Sequence, residues 1–196
     1  MDERAFFDNL APEWDNNEVL STDEKVNEIL DLSDVREGQS ILDLGTGTGV
    51  LLPHIAGRIG KQGKITAIDY SEGMLTRAQA KFSHLIPVPE FINMDFESET
   101  ITGEYDRIFL YCVYPHLHTP TETLKWLRAV NLKNEGMIII AFPSGPDFIN
   151  NIHRERHSES DILPTASKLA ESLAASGLKT EVAAEDEDHY VVRIHK

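Results

Sequence analysis

Between positions 43 and 49 the chain reads Asp-Leu-Gly-Thr-Gly-Thr-Gly, an acid followed by three glycines spaced two apart. Gly45, Gly47 and Gly49 permit backbone angles and close approaches that a Cβ would block, which suits a turn that handles a nucleotide. Asp69 follows Gly45 by 24 residues, close to the spacing of a carboxylate that accepts hydrogen bonds from a ribose diol. A third acid, Asp95, closes another apolar run. The histidines supply a different chemistry, because an imidazole titrates near neutrality and can move a proton. His116 and His118 follow an apolar segment directly, and His153 and His157 are spaced to share one helix face. His116 and His153 are the candidate catalytic residues, whereas His118 and His157 read as surface or structural. The run His153-Arg154-Glu155-Arg156-His157 has the spacing of a zinc helix but lacks Glu at its second position, so it is not the metalloprotease motif.

These residues must be held at the ends of strands. Ile41, Leu42 and Leu44 form a short apolar run of the kind a strand buried on both faces needs, and Val50, Leu51, His54, Ile55 and Ile59 then recur at helix spacing. The glycines therefore lie at a strand-to-helix junction. Residues 64 to 69 predict a second strand, and Ser71 caps a helix carrying Met74, Leu75, Ala78 and Phe82. Pro87 and Pro89 stop that helix ahead of a third strand over residues 91 to 96. A fourth, the most apolar, covers 105 to 113, and a fifth covers 137 to 142. Between the last two a helix from Thr121 ends near Asn134-Glu135-Gly136. Helices are expected around 147 to 157 and from Pro164 through Ala175, closed by Gly177. Two strands, 179 to 184 and 189 to 195, finish the pattern around an acidic turn. At the start, helices over 3 to 9 and 22 to 32 flank a loop from Ala11 to Asn17, with Thr22 as a cap.

Strand, helix, strand, helix in this order predicts an α/β fold: a doubly wound, mostly parallel seven-stranded sheet with an antiparallel C-terminal hairpin. We expect one domain over 1–196, with residues 1–35 as an N-terminal lid and 36–196 as the Rossmann-like core. Charge and cysteine content narrow the partners. Eighteen basic and 33 acidic residues give a net charge of −15, a field that repels nucleic acid. A single cysteine, Cys112, removes any internal disulfide framework and any multi-cysteine metal site, which suits a reducing cytoplasm. No apolar run of membrane-spanning length and no signal-like start appear, so the expected setting is cytoplasmic, with no membrane and no nucleic acid as partner.

With Asp43, the glycines and Asp69 placed, the chain resembles the class I S-adenosylmethionine-dependent methyltransferases. Members of that family carry an acid and Gly-x-Gly-x-Gly after the first strand, an acid ending the second, and often an Asp after the third. The first 15 residues, from Phe6-Phe7-Asp8 to Trp14-Asp15, are similar to the lid of methyltransferases of the ubiquinone and menaquinone type. The resemblance implies S-adenosyl-L-methionine as cofactor and a small-molecule acceptor. It implies that Asp69 binds the ribose, that Asp43 fixes the turn and the ammonium region, and that Asp95 accepts from the adenine amino group. Phe96 or Met74 would cover the ring, and Tyr111 would wall the methionine part. Thr46 and Tyr70, beside the glycines and Asp69, complete the cofactor set with Gly45, Gly47 and Gly49. Trp14 would be free to close over a filled site. Two rival readings are a cofactor-binding partner subunit without turnover and a nicotinamide oxidoreductase. The second is weakened because Val50 stands where the third glycine of the dinucleotide pattern would fall.

Overall fold

The computed structural model describes residues 3–17, 21–155 and 162–196, with the side chains at 3, 16, 17, 153 and 155 outside that description. Its centre is a seven-stranded sheet of order β3-β2-β1-β4-β5-β7-β6. The strands are β1 (Ser40–Leu44), β2 (Lys64–Asp69), β3 (Glu90–Asn93), β4 (Tyr105–Tyr111), β5 (Leu132–Phe142), β6 (Lys179–Glu185) and β7 (Tyr190–His195). The first five pair in parallel, and β7 runs antiparallel to both β5 and β6. From β1 the chain winds outward through β2 and β3, then returns to place β4 on the other side of β1. That reversal opens a crevice at the carboxyl ends of β1 and β4, where ligands of such sheets bind.

Two apolar layers hold the sheet. On one face Ile41, Phe109 and Ile139 meet Ile55 and Ile59 of α4 (Leu52–Ile59) and Val26, Ile29 and Leu30 of α3 (Asp23–Leu32). On the other, Leu42, Leu44, Ile108 and Leu110 pack with Leu124 of α6 (Pro120–Trp126) and with Leu169 and Leu173 of α8 (Ala166–Ala175). Alternate residues of β4 thus face opposite layers, as a strand covered on both sides requires. Each of these aliphatic side chains, fully withdrawn from water, contributes roughly 1.5–3 kcal/mol. Because Val26, Ile29 and Leu30 are fully buried, α3 is a core layer rather than a cover over the crevice. Residues of α1 (Glu3–Leu10) and α2 (Trp14–Asn17), on either side of the 3₁₀ turn Ala11–Glu13, line the crevice instead.

Several expected boundaries move. The loop from Ala11 to Asn17 is helical, since Pro12 sits where a missing N–H costs nothing. Thr22 does cap α3, accepting from the Lys25 N–H at 3.4 Å, and Ser71 caps α5 (Glu72–Phe82), accepting from Met74 N at 3.1 Å. The last helix begins at Ala166 rather than Pro164, because Thr165 takes the extended backbone of a cap and accepts from Lys168 N at 3.3 Å. β3 stops at Asn93, whose side-chain amide donates to the carbonyls of Asp69 and Tyr70, leaving Asp95 and Phe96 in a turn. β4 stops at Tyr111 because Cys112 takes a positive φ of 58°. β5 starts five residues early, at Leu132. The preceding helix widens into a π turn over Leu127–Asn131, and Glu135-Gly136 forms an irregularity within the ladder instead of a helix end. α7 (Pro146–Glu155) holds the described part of the helix expected over 147 to 157. His157 lies outside the described residues. Among those residues no helix is long and apolar enough to cross a membrane.

Candidate active site

Asp43 ends up beneath the turn it precedes in sequence. It is 2% exposed, and its Oδ2 accepts from the Thr46 hydroxyl at 2.7 Å, bracing the loop from below. Burial pushes its pKa up to about 7, against the Thr46 hydrogen bond and with the added repulsion of Asp69. Gly45 and Gly47 adopt φ of +67° and +56°. At Gly45 a second demand applies, since a Cβ there would fall 2.5 Å from a methyl of Val113, just past the end of β4. At Gly47 the place of a Cβ is open space, so that backbone faces the crevice unobstructed.

Asp69 spans the turn and the next helix. Its Oδ2 accepts from Gly47 N at 2.8 Å and its Oδ1 from Ser71 N at 2.9 Å. Each oxygen keeps a further lone pair, and the group still lines the cavity. Burial raises its pKa to about 6, opposed by those two N–H groups, with Asp8 adding repulsion and Arg4 relieving it. Asp69 therefore fixes the glycine turn as well as lining the cavity, and the bracing role is one that spacing alone did not reveal.

One cavity of about 470 Å³ runs across the carboxyl ends of the strands. Gly45, Thr46, Gly47, Asp69, Tyr70 and Met74 line it, together with Asp95 and Phe96 beyond β3, Tyr111 at the end of β4 and His116 beyond it. Asp43 and Gly49 do not. Gly49 instead lets Phe82 and Leu52 approach, within 2.8 and 2.9 Å of where its Cβ would be. Met74 is 1% exposed, so it serves the helix core as well as the wall. His153 stands on α7, whose Ile149 and Ile152 line the cavity, but its side chain, and with it the expected approach to His116, lies outside the described residues. His118 turns to Glu97, its Nδ1 3.0 Å from Oε2, in a largely exposed position. No group of three His, Cys, Asp or Glu suited to a metal occurs among the described residues.

The N-terminal segment roofs this cavity through Phe6, Phe7, Leu10 and Trp14. Phe7 is the hub: its ring meets Trp14 at 5.7 Å, Tyr70 at 6.1 Å and His116 edge-on at 5.6 Å between centroids. Polar anchors hold the roof down. Asp8 accepts from the Ser71 hydroxyl at 2.6 Å and from Gly73 N at 3.0 Å, and Arg4 donates to the carbonyl of Tyr70 at 2.6 Å. Asp15 accepts from the Thr48 hydroxyl and, at 2.9 Å, from Lys81. Toward β5 the wall is apolar, with Leu117, Phe142, Pro143, Ile149 and Ile152. Among the described lining residues there is no Lys or Arg. Sequence reading missed Asp8, Asp15, Glu97 and Ser21, whose hydroxyl accepts from the Tyr111 hydroxyl at 2.9 Å. Their partners are far away in sequence, and no local pattern marks them.

A doubly wound sheet with a carboxylate-braced glycine turn at its switch point defines a Rossmann-like, nucleotide-cofactor type of protein. Residues 41–136 match the family model of the methyltransferase domain. The ubiquinone/menaquinone biosynthesis C-methyltransferase UbiE of Edwardsiella ictaluri is 27% identical over 122 residues, covering 61% of this chain and 49% of that protein. The chain thus matches about half the length of that relative. In fold it is similar to an S-adenosylmethionine-dependent methyltransferase of Aquifex aeolicus, at 22% identity and a TM-score of 0.70 over 87% of this chain and 88% of the other. It is also similar to DhpI in its S-adenosylhomocysteine complex, at 18% identity and a TM-score of 0.75, over 97% and 93%. By this domain match and by fold the chain is similar to the class I S-adenosylmethionine-dependent methyltransferases.

Proposed function

We propose that this protein transfers a methyl group from S-adenosylmethionine to a small, uncharged acceptor with an apolar body. The observation that carries the reading is the single cavity that joins the glycine turn, Asp69 and the Asp95-Phe96 turn to an apolar chamber roofed by Phe7 and flanked by His116. The residues present fit the cofactor: Gly47 leaves an open cradle, and the buried Asp69 keeps lone pairs for a diol. Asp69 would hold the ribose, Asp95 the adenine amino group with Phe96 against the ring, and Asp43 the turn below. Tyr111 would wall the methionine part. When bound, the sulfonium supplies an already activated methyl group, so the chain's work is alignment and the exclusion of water. Phe6, Phe7 and Trp14 perform the exclusion. His116 takes a proton from acceptors that must lose one. With no Lys or Arg among the described lining residues, and acids at 69, 95 and 97, an anionic acceptor would meet no cationic Lys or Arg side chain there. A setting within the cytoplasm accords with the single cysteine.

The test is direct. Small molecules released from the purified protein are identified by mass spectrometry, and S-adenosylhomocysteine formation is followed with neutral aromatic and aliphatic acceptors beside matched carboxylates. Product from neutral acceptors supports the reading. Binding of the cofactor with no turnover on any of them would leave a cofactor-binding partner subunit, and no binding at all would remove both.

A further inference from the structure

The turn after β3 and the segment after β4 belong to strands separated in the sheet by β2 and β1, yet one side chain joins them. Glu97 leaves the turn of Asp95 and Phe96, and its carboxylate accepts from the N–H of His118 at 2.9 Å, the N–H of Thr119 at 3.0 Å and the hydroxyl of Thr123 at 3.0 Å. The Thr119 hydroxyl lies 3.3 Å from Oε1 as well. Burial opposes its ionisation, but the donors of His118, Thr119 and Thr123 hold its carboxyl below the usual carboxylate range.

This arrangement replaces an ordinary helix cap. Thr119 stands at the N-cap of α6 but makes no capping bond with its own hydroxyl, and Pro120 has no N–H to offer. The amides at 118 and 119 both donate across the crevice to Glu97. His116 sits two residues before this anchor, in a 3₁₀ turn held on its other side by its own N–H to the Val113 carbonyl at 2.9 Å. Glu97 is in turn fixed at its root, because its N–H donates to Asp95 Oδ1 at 3.0 Å. A continuous chain of hydrogen bonds and backbone thus runs from Asp95 through Glu97 to the turn that carries His116.

We infer that Glu97 is a positioning residue that couples cofactor occupancy at the Asp95-Phe96 turn to the placement of His116 at the acceptor chamber. The inference rests on the cofactor reading above. A ligand that immobilises Asp95 immobilises Glu97, and Glu97 then orders residues 113 to 119, so the proton-moving group is set only when the donor is in place. Coupling of this kind is reciprocal: ordering the His116 turn favours the cofactor to the same degree.

Hydrogen exchange by mass spectrometry on the full chain tests it, with and without saturating S-adenosylhomocysteine, for the parent, Glu97→Ala and Glu97→Gln. In the parent the ligand should slow exchange over 113 to 119 about tenfold or more. In Glu97→Ala the ligand should still bind within about tenfold of the parent, and the slowing should vanish. Glu97→Gln keeps the side-chain length and one acceptor oxygen, so it covers the case in which the alanine variant fails to fold, and it should lose most of the slowing. A merely structural cap predicts faster exchange in the free variants but the same ligand-induced slowing as in the parent, and that result overturns the coupling. Loss of ligand binding in both variants overturns it too, since Glu97 would then be a cofactor ligand itself. A parent that binds no S-adenosylhomocysteine removes the cofactor reading and the coupling together, whereas a parent that binds it without slowing at 113 to 119 removes the coupling alone.

Discussion

The hydroxyl of Thr48 donates to Asp15 Oδ1 at 2.5 Å, bonding the N-terminal segment to the glycine turn itself. Burial opposes the charge on Asp15, but Thr48 and Lys81 hold its carboxyl below the usual range. A charge-assisted hydrogen bond of this type contributes about 1.5–3 kcal/mol. If the roof must lift for the cofactor to leave, Asp15→Ala should raise the dissociation rate of S-adenosylhomocysteine about 10- to 100-fold while changing its association rate little. Stopped-flow displacement reads both rates, and an unchanged dissociation rate would show that release does not pass through this contact.

Asp69 makes a sharper case for affinity. Losing its carboxylate removes the ribose acceptor and also the partner of Gly47 N and Ser71 N. Asp69→Ala should weaken S-adenosylhomocysteine by about 2 to 4 kcal/mol, or roughly 30- to 1,000-fold. Calorimetry decides the matter, because parent-like affinity in the variant means the carboxylate does not face the ligand.

The two buried acids set a pH dependence of known direction. A carboxyl whose proton is held more tightly in the folded chain gains stability from protonation, fully below the ordinary 3.8 and lost as pH rises through about 6 for Asp69 and about 7 for Asp43. Asp43→Asn removes the cost of the buried charge, so its stability relative to the parent should climb from about pH 4 to about pH 7 in the ligand-free protein. A cationic cofactor favours the ionised carboxylates, so binding near pH 6.5 should release protons, seen as a buffer-dependent heat in calorimetry. Proton uptake there would contradict the assignment of these acids to the cofactor.

His116 touches the roof through Phe7 and faces the chamber. As a proton acceptor it should be needed for turnover and not for cofactor binding. Once an acceptor is identified, His116→Ala should lower the single-turnover rate about 100- to 10,000-fold. Its S-adenosylhomocysteine affinity should stay near that of the parent. A parent-like rate would return His116 to a packing role.

The sheet could be read from the chain because its central strands are short apolar runs bounded by acids and glycines, and residues 64 to 69 came out with their observed ends. What failed was local ambiguity. Asn134-Glu135-Gly136 has the composition of a helix end but forms an irregularity within β5, a choice made by pairing with β4. The acids at strand ends were visible for the same reason as the strands. Asp8, Asp15 and Glu97 were not, since on a strongly acidic chain a lone carboxylate looks like solvated surface until its donors arrive from 21 to 66 residues away.

The contact between Gly45 and Val113 has an evolutionary consequence. The Cγ2 methyl of Val113 occupies the space a side chain at 45 would need, so the two positions share one volume. Drift at 45 is blocked while a branched residue stands at 113. A trimmed residue at 113 would open the space, yet the φ of +67° would still penalise anything but glycine. Glycine at 45 is therefore held twice over, by its backbone angle and by the methyl of Val113, whereas 113 is free to shrink without any change at 45.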